Sequence, residues 1–486
     1  MTSGPAVKNH KQGIPALWLA FLYPAIVLAP VVAAFWGPPP LNWAAELGSA
    51  AGLAAGSMLI LQYVTSGRFE KIAGRVGIDR VIGFHRFAGW ALIIVLLAHI
   101  VALALAGGGD PAQVLRRLIR LLTAPSLLTG VVAAVLIGLV VWAALRRDHF
   151  GLRYEIWRFS HSVGATVALV CLVDHALARG TYIKVPAVAL IASALALVAV
   201  VSLLDIHVFR SARVLGARWR VETVRPLGPK LWELLLRHEA GRLFKFRAGQ
   251  FAWVCFHGQP TFCDNPFSIA STPDELPALR FVIKEVGDFT SGIGQLPPGT
   301  VATLDGPHGN LVDCDDAASA VILIAGGVGI APIIGILRSL ARSCDRRPVR
   351  LVVATRTAAE QVFAKEISAL GSELDFKSIG VVEVSSPDWS GRVGEVDDEA
   401  LASLLEGLDR ERAISLLCGP KAMMEWAAGA LDRLGIPSDR IRYELFDYGT
   451  AADASSRRAK HIFQVMLLAI GLGLVAFATR ALVSDG

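Results

Sequence analysis

The sequence predicts a multi-domain membrane protein: an all-α transmembrane helical bundle, then an antiparallel β-barrel domain, then an α/β domain. Three observations predict this. Long apolar runs dominate the chain up to about residue 207, and hydrophobic residues make up 54% of all 486, which indicates extensive membrane burial. From about residue 213 the pattern changes to short strands separated by turn residues. From about residue 320 buried strands alternate with helical segments, the signature of a parallel sheet.

Candidate spans lie at about 14–36, 43–64, 82–106, 124–145, 156–178, 185–207 and 461–483. Each is long enough to cross a hydrocarbon core of roughly 30 Å. The first follows Lys8 and Lys11, so a cleaved signal peptide competes, but its length favours a retained helix. Pro38, Pro39 and Pro40 separate the first two spans.

Charge then sets the topology. The connections carrying Arg68, Lys71, Arg75 and Arg80, then Arg146, Arg147 and Arg153, then Arg210, Arg213, Arg218 and Arg220, all fall on one side with the N-terminus. The positive-inside rule makes that side cytoplasmic. This places the protein in the bacterial inner membrane as a multi-pass protein with its soluble part in the cytoplasm. Arg116, Arg117 and Arg120 fall on the other side. Together with Leu115, Leu118, Ile119, Leu121 and Leu122 they read as an amphipathic surface helix. The net charge of +6 collects beside spans and suits anionic lipid headgroups rather than nucleic acid. The six cysteines show no zinc spacing, and five lie in the soluble region, where a cytoplasmic location keeps them reduced.

Two spans each carry a histidine pair, His85 with His99 and His161 with His175, the second of each fourteen residues after the first. Fourteen helical residues fall about 40° short of four full turns, so both imidazoles leave one face, about 21 Å apart along the axis. The charge-derived topology runs both helices in the same direction. His85 therefore meets His161 in an inner tier and His99 meets His175 in an outer tier. A lone intramembrane histidine bonds a neighbouring carbonyl or hydroxyl as readily as it binds a metal, but a repeated interval points to ligation. Imidazole suits iron, and haem iron takes axial histidines, so the four are read as ligands of two stacked haem b groups. Arg86 and Arg158 near the inner tier and Arg179 near the outer suit haem propionates, with snorkelling to headgroups as the equal alternative. His10, His149, His207, His238, His257, His308 and His461 are assigned no metal.

The soluble half opens with strands at Trp219–Val224, Lys230–Leu236, Gly249–Val254 and Leu279–Lys284. Asn265, Pro266, Phe267 and Ser268 lie among them. Val286, Gly287, Asp288, Phe289, Thr290 and Ser291 are expected to begin a short helix whose N-terminal amides suit a pyrophosphate. Asp305 to Gly309 reads as a tight turn. A buried strand at Ala320–Ala325 then runs into Gly326, Gly327, Val328, Gly329, Ile330, Ala331 and Pro332, and on into a helix to about Ala341. Strand, glycine turn and helix let backbone amides approach a phosphate without Cβ interference, as in Rossmann-like domains. A strand at 349–354 ends in Arg356 and Thr357, and one at 413–418 ends in Cys418, Gly419 and Pro420. Arg356 can grip a 2′-phosphate and no acidic residue follows that strand, which favours NADPH over NADH.

These residues together resemble a known family. The paired histidines are similar to the ferric reductase-type transmembrane domain of NADPH oxidases and ferric-chelate reductases, and the soluble half resembles the ferredoxin–NADP reductase module such proteins carry. The resemblance covers roughly residues 45–450 and implies a FAD site at Pro266, Phe267, Ser268, Val286, Gly287, Thr290 and Ser291. Asn265 stands where the family has a basic residue, and His308 where tyrosine is common. The resemblance implies an NADPH site at Gly326, Gly327, Val328, Gly329, Pro332, Arg356, Thr357, Gly419 and Pro420, with Cys418 beside the nicotinamide and Phe446 or Tyr448 covering the flavin.

The expected domains are 1–212 (transmembrane, di-haem), 213–314 (FAD), 315–450 (NADPH) and 451–486 (linker and an extra helix that either anchors the module or meets a partner). The implied function is transmembrane electron transfer from cytoplasmic NADPH through FAD and two haems. The acceptor lies on the outer face and is dioxygen, giving superoxide; a ferric chelate, or a quinone or periplasmic protein partner, is the alternative.

Overall fold

Proline and polar caps cut the apolar half of the chain into discrete helices. In the computed structural model, which describes residues 16–66, 69, 78–147, 154–256, 265–287, 289–312, 317–387, 389–444 and 457–484, these are α1 (Ala16–Ala33), α2 (Trp43–Val64), α3 (Ile78–Leu105), α4 (Pro111–Thr123), α5 (Leu128–Leu145), α6 (Tyr154–Arg179) and α7 (Pro186–Leu204). Asn42 caps α2 by accepting from the Ala45 amide, and Asp110 caps α4 in the same way ahead of Pro111. A π-helical turn, Asp205–Phe209, and the short α8 (Arg210–Leu215) extend α7. Among the described residues seven helices are long and apolar enough to cross a membrane, ending with His461–Val483. The chain divides into two compact units between Phe209 and Arg210, and the last helix joins the helical one.

Within the helical unit, contacts between helix ends fix the directions. The Asn42 side chain at the start of α2 donates to Ala106 O beyond the end of α3 at 2.8 Å. Tyr182, just past α6, donates to Glu46 on α2. Helices α1, α3 and α6 therefore finish at the same end of the bundle, and α3 runs parallel to α6. Helix α4 has no buried residue and leaves Leu115, Ile119 and Leu122 exposed, as expected for a surface helix.

The second unit holds two sheets. Strands β1 (Arg218–Gly228), β2 (Leu231–Ala240), β3 (Phe251–Phe256), β4 (Asn265–Ser268), β5 (Ala278–Lys284) and β6 (Val301–His308) form an antiparallel sheet in the order β4-β3-β6-β1-β2-β5. A bridge from Ile269 to Phe281 links its two edge strands. Trp219, Leu234, Leu236, Phe281 and Ile283 fill the interior. The other sheet is parallel throughout where its pairs are resolved. It comprises β7 (Val321–Gly326), β8 (Val349–Thr357), β9 (Phe376–Val384), β10 (Arg392–Val393), β11 (Ile414–Cys418) and β12 (Ile441–Glu444), in the order β10-β9-β8-β7-β11-β12. Helices α9 (Ile330–Arg342), α10 (Ala364–Gly371), α11 (Asp398–Leu404) and α12 (Lys421–Arg433) connect these strands. The central β7 and β11 are buried along their whole length, as both faces are covered. The final helix is α13 (Arg457–Ser484).

Two local expectations are corrected. Asp305–His308 is not a turn but the end of β6. A register shift opposite Phe251–Trp253 lets Gly306 and Pro307 bulge without ending the strand. The segment after Val286 forms turns and a single 3₁₀ turn at Ile293–Gln295 rather than an α-helix. Thr290 explains this. Its hydroxyl accepts from the Val286 and Gly287 amides at 2.9 and 3.1 Å, and its own amide donates to Gly287 O, so the local hydrogen bonds close a turn.

Asp305 also pairs with Arg210 and lies near His308. Burial pushes its carboxyl up, but the His308 hydrogen bond and the Arg210 charge outweigh this and hold it at about 2. The folded value lies below the ordinary 3.8, so this contribution is complete above the ordinary value and is lost as pH falls through about 2. Asp305→Asn should cost about 2 kcal/mol at pH 7 and flatten the acid limb of stability. Denaturant midpoints at pH 7 and pH 3 measure this, and midpoints equal to wild type at both would contradict it.

Candidate functional site

The helical unit brings its four intramembrane histidines together in the expected pairs. His85 and His161 face each other with ring centroids 6.4 Å apart. Two imidazoles ligating one ion at about 2.0–2.1 Å, with ring centres roughly 1 Å behind the nitrogens, place the centroids about 6 Å apart. His99 and His175 lie within electrostatic range of each other. Between the tiers, seven residues from each histidine, Leu92 and Ala168 are buried.

Helix α3 packs along α2 and α6 along α5, while α3 and α6 approach each other only marginally. Glycines accommodate the rings: a Cβ on Gly52 would lie 2.9 Å from the His99 ring, and one on Gly130 2.5 Å from His175 Nδ1. Hydrogen bonding separates ligands from structural histidines only in part. His99 Nδ1 bonds Gly48 O at 2.7 Å, and the Gln62 amide reaches His85 Nδ1 at 2.7 Å. The buried Nδ1 atoms of His161 and His175 have no hydrogen-bond partner. Among the described residues no three His, Cys, Asp or Glu side chains gather as a metal site.

Sequence reasoning missed several neighbours of these histidines. Trp157 lies one turn before His161, its ring 5.4 Å from the imidazole, with Arg147 5.3 Å over the indole. Ser162 contacts His207 at 3.2 Å. Arg179 is tied to Ser126 O at 3.0 Å. Gly52 and Gly130 were visible only as glycines inside apolar helices, a pattern that signals close approach.

In the second unit the parallel sheet has its topological switch point between β7 and β11, where chain order runs outward in both directions. The glycines meet there. A Cβ on Gly419 would lie 2.9 Å from Gly326 Cα, and one on Gly329 2.1 Å from Cys418 O. The carboxyl ends of both strands thus pack closely, with the Met423 and Pro420 side chains within 2.7 Å of a Cβ placed on Gly326, at the start of α9 where open α/β sheets take their ligands. Gly327 takes φ +53° at the turn, a conformation that favours glycine. Val328 and Pro332 flank it, and Pro420 leads into α12. Cys418 is wholly buried. Arg356 is exposed and Thr357 half-buried at the carboxyl end of β8.

On the antiparallel sheet, Pro266 and Phe267 are half-buried, and the buried Ser268 Oγ has no partner. Phe289 stacks between Phe256 and Phe267 at 5.7 and 5.9 Å, which sets the Gly287–Ser291 turn against β4. The two sheets are joined through α9. Arg338 donates to Ala270 O at 2.6 Å, and Gly335 lies so close that a Cβ would come within 3.0 Å of Ile269 O. Phe446 and Tyr448 lie outside the described residues.

The comparisons follow this division. Residues 51–172 match the family described as ferric reductase like transmembrane component, and residues 323–429 match the oxidoreductase NAD-binding domain. The reductase component of propane 2-monooxygenase from Mycolicibacterium goodii is 30% identical over 237 residues, spanning 47% of this chain and 67% of that protein. Ferredoxin–NADP reductase B of Sorangium cellulosum is 26% identical over 235 residues, spanning 47% and 96%. Among solved structures, the Amycolatopsis cytochrome P450 reductase GcoB aligns at 27% identity, TM-score 0.42, over 47% of this chain and 69% of that one. The chain belongs to the family of oxidoreductases in which a ferric reductase-like transmembrane component is joined to a ferredoxin–NADP reductase-type, NAD(P)H-binding module.

Proposed function

We propose that this protein is an NADPH-driven oxidoreductase of the bacterial inner membrane that carries electrons from the cytoplasm to dioxygen on the outer face, releasing superoxide. The observation that carries the reading is the histidine geometry: two parallel helices, each with a pair at the same interval, and a 6.4 Å ring separation in the inner tier. His85 with His161 and His99 with His175 would serve as ligands of two haem b groups, because the inner rings stand at the separation that two ligating imidazoles need and the same fourteen-residue interval sets the outer pair. When bound, the cofactors supply hydride acceptance by FAD and single-electron passage by the haems.

The residues do the placing. Pro266, Phe267 and Ser268, with Val286, Gly287, Thr290 and Ser291, form the FAD site on the antiparallel sheet, read as the β-barrel flavin domain. The stacking of Phe289 on Phe267 holds the two segments together. Gly326, Gly327, Val328, Gly329, Pro332, Gly419 and Pro420 form the nucleotide crevice of the Rossmann-like domain, and Cys418 lies at its floor. Arg356, with Thr357, grips the 2′-phosphate. The resemblance to the family gives Phe446 or Tyr448 as the aromatic that would cover the flavin. His85 with His161 and His99 with His175 would hold the two haems, which would leave no further iron position for the acceptor. One-electron transfer to dioxygen gives superoxide.

Four outcomes test this. His99→Leu should remove the outer haem yet leave NADPH oxidation by a soluble dye intact, read from the reduced-minus-oxidised spectrum and dye assay; loss of both contradicts a modular chain. Gly419→Val places side-chain atoms against the Gly326 backbone and should lower NADPH-dependent dye reduction by about tenfold or more with flavin content unchanged. Arg356→Leu should raise KM for NADPH by about tenfold and leave NADH use unaltered; equal effects on both nucleotides would remove the 2′-phosphate role. For the acceptor, NADPH-driven cytochrome c reduction should be abolished by superoxide dismutase, and activity only with ferric chelates under argon would overturn the assignment.

A further inference from the structure

Glu46 and Arg480 are charges inside otherwise apolar spans, and electron transfer as proposed assigns them no task. Glu46 is 2% exposed. Arg480 Nη2 and Nε donate to Glu46 Oε2 at 2.8 and 3.2 Å, and Tyr182 OH donates to the same oxygen at 2.7 Å. The other carboxylate oxygen accepts from the Leu41 amide at 3.3 Å. Arg480 also donates to Ala34 O at 3.0 Å and lies 4.1 Å from the Phe477 ring centre. The last helix is thereby fixed to α1 and α2 from within the chain.

Adhesion alone does not require these charges. Met466, Ile470, Leu474 and Phe477 already bury an apolar face of α13 in the bundle core, and a buried ion pair rarely stabilises more than apolar groups of the same volume. What the pair adds is register. Glu46 lies two residues before Gly48, whose carbonyl holds His99 Nδ1 at 2.7 Å, and Gly52, one turn further along α2, makes room for the same ring. A hydrogen bond on the non-ligating nitrogen sets ring orientation and ligand basicity.

We propose that the C-terminal helix, through the Arg480–Glu46 pair, fixes the register of α2 and so tunes the orientation and redox potential of the outer-tier ligand His99. Both residues are positioning residues, and the inference rests on the two-tier haem reading. Full-length protein carrying Arg480→Gln, Arg480→Lys or Glu46→Gln is titrated potentiometrically and its low-spin electron paramagnetic resonance signals are recorded. Arg480→Gln should shift the outer-haem midpoint and its largest g-value while the inner-haem step stays in place. Arg480→Lys, which keeps a cation on Glu46, should return both towards wild type. Glu46→Gln, the mildest change, should also move the outer step alone, so the idea stays testable if Arg480→Gln does not accumulate. Two unmoved steps, or two steps moving together, would overturn the proposal while leaving the haem reading intact. A wild-type protein without bound haem would overturn both, and the wild-type spectrum shows this before any variant is compared.

Discussion

An imidazole inside a bilayer must find a partner, and this requirement organises the helical unit. Fourteen-residue spacing puts each histidine pair on one helix face. Parallel α3 and α6 bring like ends together, and glycines at 52 and 130 leave space that larger residues would fill. The remaining helices act on these two. Helix α2 supplies Gly48 O and Gln62 to the α3 histidines, and α5 supplies Gly130 beside His175. Leu92 and Ala168 keep the level between the tiers apolar. The proposed electron path exists only if all of these keep their register.

The second unit obeys a different constraint, the close approach of backbone to an anion. Gly326, Gly329 and Gly419 meet at the switch point of the parallel sheet, where a Cβ on Gly329 or Gly419 would collide with backbone and one on Gly326 with Met423 and Pro420. The nucleotide binding proposed there would rest on these glycines rather than on a particular side chain. Helix α9 serves both lobes: its start borders the crevice, while Gly335 and Arg338 lock it to the segment following β4. The flavin-side and nucleotide-side residues thus share one rigid connector.

Much of this was legible in the sequence because helix periodicity, strand–glycine–helix order and charge asymmetry are local signals. The histidine tiers follow from spacing plus direction, both readable from order alone. The errors were local too. Gly306-Pro307 reads as a turn, yet a bulge absorbs it within β6. Val286–Ile293 reads as a helix start, yet the Thr290 hydroxyl and amide close the segment into turns. What sequence could not supply is pairing across distance. Glu46 and Arg480 drew no notice in the sequence, and their partnership spans 434 positions. Trp157 and Gly130 looked like ordinary helix residues until the fold set them beside His161 and His175.

The account depends most on the imidazole pairs holding porphyrin iron. Purified full-length protein should contain two haems per chain, both low-spin with two histidine ligands, and reduce in two potentiometric steps followed at the Soret band. Protein that folds and oxidises NADPH with a dye, yet carries no haem or keeps its full haem content when all four histidines are replaced, would contradict it.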